Sequence, residues 1–192
     1  ILGLTEAESG EITIFGKCVH QLSMSEKAQI GASLAESGFS SYLNITDVKK
    51  ILEKMYPDFN KGYFEKMCRE LNLPEKKRIR EYSTGMKAKL RVLTALSHHA
   101  KLLVMDEPTA ALDPLAEYDL YKKLVLLMHG RLSFFISHRL ASGKFCDRIL
   151  VFSKHTIQED GSHDQLMNLK GLYAEMYSRQ AEFYKRDNLS ES

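Results

Sequence analysis

The 192-residue sequence has no tryptophan, only four prolines and only three cysteines, and these shortages exclude several classes of protein. Cys18, Cys68 and Cys146 are odd in number, far apart, and show no C-x-x-C or Cys/His ligand spacing. That excludes a disulfide framework and a zinc site, and fits a reducing compartment. Long apolar runs are missing too: the longest is Leu124 to Met128, against the roughly 20 residues a membrane-spanning helix requires. Charge of one sign is not in excess. Lys plus Arg number 27 and Asp plus Glu 25, a net +2 that removes any global argument for nucleic acid or an anionic membrane surface. Ile1-Leu2-Gly3 has no initiating Met and no basic-then-apolar secretory pattern, so the start reads as the interior of a longer protein. Internal repeats and low-complexity tracts are absent.

What is present is ordinary globular usage, 44% hydrophobic and 27% charged residues, enough for one domain or a domain with a smaller companion. The near-neutral total conceals a local block. From Lys49 to Arg91 there are 13 Lys plus Arg against 6 Asp plus Glu, a local +7, while the remainder carries 14 against 19.

Hydrophobic periodicity divides the chain. Gly10 to Lys17 alternates and predicts a strand, and Ile30 to Leu34 a short second one. From Thr46 the period becomes helical: Val48, Ile51, Leu52 and Met55 share one face. Phe64, Met67, Cys68 and Leu71 share another, after the expected cap Asn60. A further helix begins at Ser83 or just after and runs to His98, with Leu90, Leu93 and Leu96 in register. Leu102–Met105 and Leu132–Ile136 are apolar runs of the kind covered on both faces in a parallel sheet. With a helix over Ala116–Met128 between them they predict a βαβ unit. A hairpin of Arg148–Ser153 and Thr156–Glu159 follows, then a capping box at Ser162 and Gln165, an amphipathic helix over Gly171–Tyr184 and a frayed end at Asn188–Ser192.

The chemistry concentrates at strand ends. Asp106 and Glu107 close the first apolar run, where open α/β sheets bind ligands. Asp106 suits Mg²⁺ held through water, and Glu107 suits orienting or deprotonating an attacking water. Alone, the pair reads equally well as a strand entering a polar loop. His138 closes the second run, in Ser137-His138-Arg139, able to contact a γ-phosphate or hold the water, although a lone His there is more often a surface residue. Ala111-Leu112-Asp113 adds a polar element. Tyr82-Ser83-Thr84-Gly85-Met86-Lys87 opens a helix with a hydroxyl, a glycine and free amides, an arrangement for anions that equally describes a plain Ser cap.

In this order and spacing these pieces resemble the nucleotide-binding domain of ABC-type ATPases, from Ile1 to about Tyr184. Tyr82–Met86 resembles the signature motif, with Thr84 and Met86 replacing its first Gly and its Gln while Ser83 and Gly85 remain. Leu102–Glu107 resembles the Walker B strand, Ala111–Asp113 the D-loop, and Ser137-His138 the switch histidine. Ile1–Leu4 is similar to the tail of the phosphate-loop helix, and Ser9–Ile12 to the start of the strand after it. Cys146–Val151, Asp160–Met167, Gly171-Leu172-Tyr173 and Gln180 resemble the exporter branch. Tyr56–Leu96 looks more like cassettes that pair with separate membrane proteins.

The departures are as informative. G-x-x-x-x-G-K-[ST] is absent, since Gly16-Lys17 and Gly143-Lys144 meet none of its other requirements, and no adenine-stacking aromatic is found. Ile30–Phe39 holds the Q-loop position, but Ala35 or Glu36 stands where a Gln is expected. The resemblance therefore implies an α/β, P-loop NTPase-like fold with a mostly parallel sheet and an inserted helical subdomain, lacking the first strand and phosphate loop. The expected organisation is a single partial domain over 1–192: helical subdomain at about 40–98, catalytic core at 1–39 plus 99–170, C-terminal helix and tail at 171–192.

By resemblance the protein is an ATP hydrolase of an export-type transporter at the cytoplasmic face of the membrane, with ATP and Mg²⁺ as cofactors. Glu107 and His138 would be catalytic, Asp106 would face the metal, and Ser83, Thr84, Gly85, Met86 and Asp113 would contact nucleotide. The implied partners are a second nucleotide-binding domain and transmembrane permease domains, with no nucleic acid expected. Two alternatives stand beside this reading. One is a nucleic-acid- or ribosome-associated ATPase using the +7 block; the other is a non-catalytic interaction module. The chain alone is expected to be inactive and, short of a central strand, prone to aggregate.

Overall fold

A tight turn at Phe15 and Gly16, both at positive φ (54° and 77°), folds Thr13–Ile14 (β1) back on Lys17–Cys18 (β2). The stretch expected as one strand is thus a hairpin, because paired left-handed residues match the twist of two antiparallel strands and alternation alone does not reveal the reversal. The computed structural model describes residues 2, 7–34, 38–110 and 112–190, with side chains except at 114, 115 and 183–190. The expected phosphate-loop helix tail at 1, 3 and 4, the Q-loop positions Ala35 and Glu36, Ala111, and 191–192 lie outside the described residues.

A 3-10 turn (Val19–Gln21) and a capped single turn, Met24–Lys27 (α1), lead into Ile30–Ser33 (β3). Ile45–Met55 (α2) starts from an Asn44/Asp47 capping box and Lys61–Glu70 (α3) from Asn60, whose side-chain oxygen accepts from Tyr63 N at 2.8 Å. Such caps satisfy amides that have no intrahelical acceptor. On α2, Ile45, Val48 and Leu52 are buried, whereas Met55, expected on the same face, is exposed. After a 3-10 turn (Ile79–Glu81) comes Thr84–Leu96 (α4), with Leu90, Leu93 and Leu96 buried. It stops short of His98: Ser97 is its C-terminal cap, with the hydroxyl donating to Leu93 O and the carbonyl accepting from Asn60 N at 2.8 Å, and His99, at φ 52°, leaves helical geometry. Helix α4 packs on α3 and β3.

Leu102–Asp106 (β4) pairs parallel with β3, Ile30 opposite Leu102 through Ser33 opposite Met105. Pro114–Met128 (α5) and Leu132–Ile136 (β5) follow, and the sheet order is β3-β4-β5. Leu102 to Met105 are all buried, as a strand covered on both faces requires. Strand β5 departs from that expectation. It alternates, with Leu132, Phe134 and Ile136 at 62%, 41% and 55% exposure, because β5 stands at the sheet's edge among the described residues.

A 3-10 stretch (Leu140–Phe145) precedes an antiparallel hairpin, Ile149–Ser153 (β6) and Thr156–Gly161 (β7), bulged at Val151/Phe152. Its turn again uses two left-handed residues, Lys154 and His155. The Ser162/Gln165 capping box starts His163–Leu169 (α6) as expected, and Lys170, at φ 54°, ends it. Leu172–Ser190 (α7) then begins with the Glu159 carboxylate accepting from Leu172 N and Tyr173 N, a negative charge where the helix dipole favours one. This helix continues past Tyr184 through part of the expected frayed end.

Two compact units result: residues 1–112 with 128–135, and residues 113–127 with 136–192. In the first, Ile14, Val19, Leu22, Leu102 and Val104 form a core cluster. In the second, Val151, Leu166 and Tyr173 do. Among the described residues no helix is long and apolar enough to cross a membrane.

Candidate active site

In the first unit, two loci carry the candidate residues. Buried Leu102–Met105 delivers Asp106 and Glu107, both half-buried, to the carboxyl end of β4. Glu107 is held at φ 44°, in the left-handed region. Non-glycine residues adopt this conformation sparingly, and such strain concentrates at functional sites where surrounding structure enforces it. Enforcement is visible here. Ala110 N donates to Glu107 O at 3.3 Å, Leu112 N donates to Thr109 O at 2.9 Å, and Pro108 and Thr109 between them are fully buried.

The second locus is the start of α4. Ser83 is its cap, with Oγ accepting from Met86 N at 3.2 Å and its carbonyl accepting from Lys87 N at 3.0 Å. An α-helix leaves four first-turn amides without intrahelical acceptors, and Ser83 satisfies only that of Met86. Ser83 and Thr84 are exposed, Gly85 and Met86 half-buried, and no acidic residue occupies the first turn. The positive end of the helix is thus uncompensated by a carboxylate of its own, as an anion-binding terminus requires. Tyr82, just before, is an anchor: it is buried, its hydroxyl donates to Pro74 O at 2.7 Å, and burial pushes its pKa up to about 12.

Asp113 and His138 belong to the second unit. Asp113 caps α5, its Oδ1 accepting from Ala116 N at 2.9 Å and its carbonyl from Glu117 N at 2.9 Å. His138 sits in a braced turn. Ser137 Oγ accepts from Arg139 N at 3.0 Å, and Ser142 Oγ donates to Arg139 O at 2.7 Å. Arg139 Nη1 meets Glu117 Oε2 at 2.6 Å, with the Glu117 side chain only 9% exposed. From α7, the Gln180 amide donates to His138 O at 2.9 Å and accepts from Leu140 N at 2.7 Å. Sequence reasoning missed Glu117 and Arg139 as supports; the only signals were the arginine following His138 and an acid in the first turn of α5.

The candidates therefore fall as Ser83, Thr84, Gly85, Met86, Asp106 and Glu107 in one unit, and Asp113 and His138 in the other. Among the described residues no three His, Cys, Asp or Glu side chains converge as a metal cage.

Comparison with known proteins adds an independent line. The family model described as ABC transporter matches residues 1–110. The probable multidrug resistance ABC transporter ATP-binding/permease protein YheH of Bacillus subtilis (strain 168) is 30% identical over 185 residues, 91% of this chain and 28% of that protein. A multidrug resistance ABC transporter ATP-binding and permease protein of Lactococcus lactis subsp. lactis (strain IL1403) is 31% identical over 183 residues, 90% of this chain and 31% of that protein. The chain thus spans less than a third of either relative. Among solved structures, a bacterial Atm1-family ABC exporter with ATP bound superposes with a TM-score of 0.79 at 24% identity, over 94% of this chain and 34% of that one. At that identity the likeness establishes the fold, the P-loop NTPase-like α/β architecture of an ABC ATPase.

Proposed function

The chain belongs to the ABC transporter family, whose ATPases bind nucleotide, and on that premise we propose that it is the ATP-hydrolysing part of an export-type transporter. The observation that carries this reading is the pair Asp106–Glu107 at the carboxyl end of buried β4, with Glu107 fixed in a left-handed turn. Glu107 orients the attacking water and accepts its proton. Asp106 would hold Mg²⁺, which when bound with ATP would supply neutralisation of charge developing on the phosphates. His138, braced through its carbonyl by Gln180, contacts the γ-phosphate. Ser83, Thr84, Gly85 and Met86 present the α4 terminus to a nucleotide held by a second such domain, and Asp113 contributes a further nucleotide contact. The mechanical step is closure of the two domains on ATP, which binds the closed state more tightly and releases it on hydrolysis. Transmembrane permease domains turn that closure into transport at the cytoplasmic face of the membrane. The helical subdomain over about 40–98 is the part that differs most in charge from the catalytic core.

The phosphate loop G-x-x-x-x-G-K-[ST] does not occur in these 192 residues, so turnover requires that loop from polypeptide joined to them. Strand β5 supports this: at the sheet's edge among the described residues, it can pair with a further strand bearing the loop. The test joins a βα segment with that motif ahead of Ile1. ATP turnover is expected to appear, and Glu107→Gln to lower it by about 10² or more while ATP still binds. Turnover unchanged by Glu107→Gln removes the general-base role. Mg²⁺-dependent hydrolysis by the 192 residues alone removes the requirement for the loop.

A further inference from the structure

In the second unit, the helix that braces His138 is itself fixed two turns away from the brace. Along α7, Tyr173, Tyr177 and Gln180 stand at i, i+4 and i+7, one face of a helix, and that face packs on the 3-10 stretch Leu140–Phe145. Tyr173 is seated from three directions. Its hydroxyl is hydrogen-bonded to His163 Nδ1 of α6 at 2.9 Å, and its backbone N–H donates to Glu159 Oε2 of β7 at 3.0 Å. The third direction is Gly143, where an added Cβ would stand 2.5 Å from Tyr173 Oη and 3.1 Å from Ile149 Cδ1. Tyr173 is only 1% exposed, and burial pushes its hydroxyl up to about 12, so the group stays protonated. One turn on, Lys144 Nζ lies 5.5 Å from the centroid of the Tyr177 ring. One turn further, Gln180 makes its two hydrogen bonds to the 138–140 turn. Leu140 also packs its side chain against the cluster of Val151, Leu166 and Tyr173.

A glutamine side chain has three rotatable bonds and considerable rotamer entropy, so Gln180 holds two backbone groups at fixed distances only if its helix is held first. The helix transmits that constraint because it is stiff over the two turns, about 10.5 Å, between Tyr173 and Gln180. We infer that Tyr173 is a positioning residue for His138: seated against Gly143, it fixes where α7 lies on the 140–145 turn and, through Gln180, where the His138 carbonyl lies. This inference rests on the reading of His138 as the γ-phosphate contact, and it extends the set of residues that serve that contact to a side chain on the far side of the turn. Gly143 is then the sensitive point, because any side chain there pushes on Tyr173 Oη and lifts the start of α7. Placement of this kind matters to rate, since a misplacement of about 1 Å can cost as much as 10²-fold.

The test follows hydrogen exchange at the Leu140 amide and the ring resonances of His138 in the 192-residue chain, with the amides of the β6–β7 ladder reporting any loosening of the whole unit. Gly143→Ala should accelerate Leu140 exchange by about fivefold or more relative to the ladder and shift the His138 resonances. Tyr173→Phe removes the obstructing oxygen, so Gly143→Ala should add less than about twofold in that background, and equally little in a Gln180→Ala background. If Gly143→Ala fails to fold, Tyr173→Phe decides: losing one hydrogen bond, it should speed Leu140 exchange by about two- to tenfold and add nothing to Gln180→Ala. In the chain joined to a phosphate loop, Gly143→Ala should lower kcat by about threefold or more with KM for ATP unchanged. The exchange measurement needs no nucleotide, so failure of the ATP reading, seen as turnover indifferent to Glu107→Gln, is separate from failure of this inference. Leu140 exchange that merely follows the ladder overturns the inference. So do effects that add fully in the Gln180→Ala background, and a kcat unchanged by Gly143→Ala where Glu107→Gln lowers it.

Discussion

Gly31 is the position where the packing of this protein makes its sharpest demand. It lies in β3, buried beneath α4, and a Cβ built there meets the backbone carbonyl of Ala95 far inside van der Waals contact. The same Cβ would stand 2.8 Å from Leu103 Cδ2 and 3.2 Å from Ala100 Cβ. Leu103 can change rotamer, but a helix carbonyl moves only with its helix, so Gly31→Ala forces α4 away from β3. Inserting one carbon into a packed core typically costs 1–3 kcal/mol, and a backbone obstacle puts this case at about 3 kcal/mol or above. With a urea dependence of about 2–3 kcal/mol/M, the unfolding midpoint should fall by about 1–1.5 M. Gly62 is the matched comparison: in the first turn of α3 its added Cβ meets only Asn60 Oδ1, at 3.8 Å. Gly62→Ala should therefore raise stability by about 0.4–1 kcal/mol. Urea titrations followed by far-UV circular dichroism compare the three proteins. A Gly31→Ala midpoint within about 0.3 M of wild type would refute the argument that close approach of α4 requires glycine here.

Two further expectations concern a buried imidazole and the brace behind His138. His98 is buried, stacks on Tyr56 with ring centroids 4.0 Å apart, and its Nδ1–H donates to Thr94 O at 3.2 Å, leaving Nε2 buried with no hydrogen-bond partner among the described residues. Burial, with Arg131 and His99 adding to it, holds its pKa below the ordinary 6.5 against the carbonyls of Thr94 and Ile30. The unfolded chain then takes up a proton below about pH 6.5 that the fold does not, so stability should decline as pH falls through that value. His98→Phe, which keeps the stack, should flatten the decline in urea midpoints between pH 7 and 5; an unchanged pH profile contradicts the assignment. Gln180→Ala removes both hydrogen bonds to the 138–140 turn, each worth about 0.5–1.5 kcal/mol, so hydrogen exchange at the Leu140 amide should accelerate accordingly. Gln180→Glu, which still accepts from Leu140 N, should show a smaller acceleration, and equal exchange in all three proteins argues against the brace.

Local signals were the legible part. Asn60, Ser83 and the Ser162/Gln165 pair start helices where the sequence places them, because a cap is settled within four residues. The run Leu102–Met105 announced a buried strand, and the acids after it a candidate site, because both depend on chain adjacency. The reversal at Phe15-Gly16 was hidden, whereas the hairpin turning at Lys154-His155 was legible from its two flanking strands, although not its left-handed backbone. Phe15 and Lys154-His155 are not residues whose identity demands positive φ, so only strand pairing sets those turns.

By itself, then, the sequence determined the helical and strand periods, the caps, the order of the family motifs and the absence of a phosphate loop within these residues. These are properties of neighbours along the chain. Tertiary structure alone decided that Gly31 must lack a side chain, that β5 bares one face, that Glu107 sits in a strained turn, and that Gln180 braces the carbonyl of His138 from 42 residues away. It also decided that Tyr173, one aromatic of an amphipathic helix by sequence, fills the space that Gly143 leaves open. The physical reason is common to all five. Each depends on which backbone or side chain approaches from a distant part of the chain, and no local period encodes that approach.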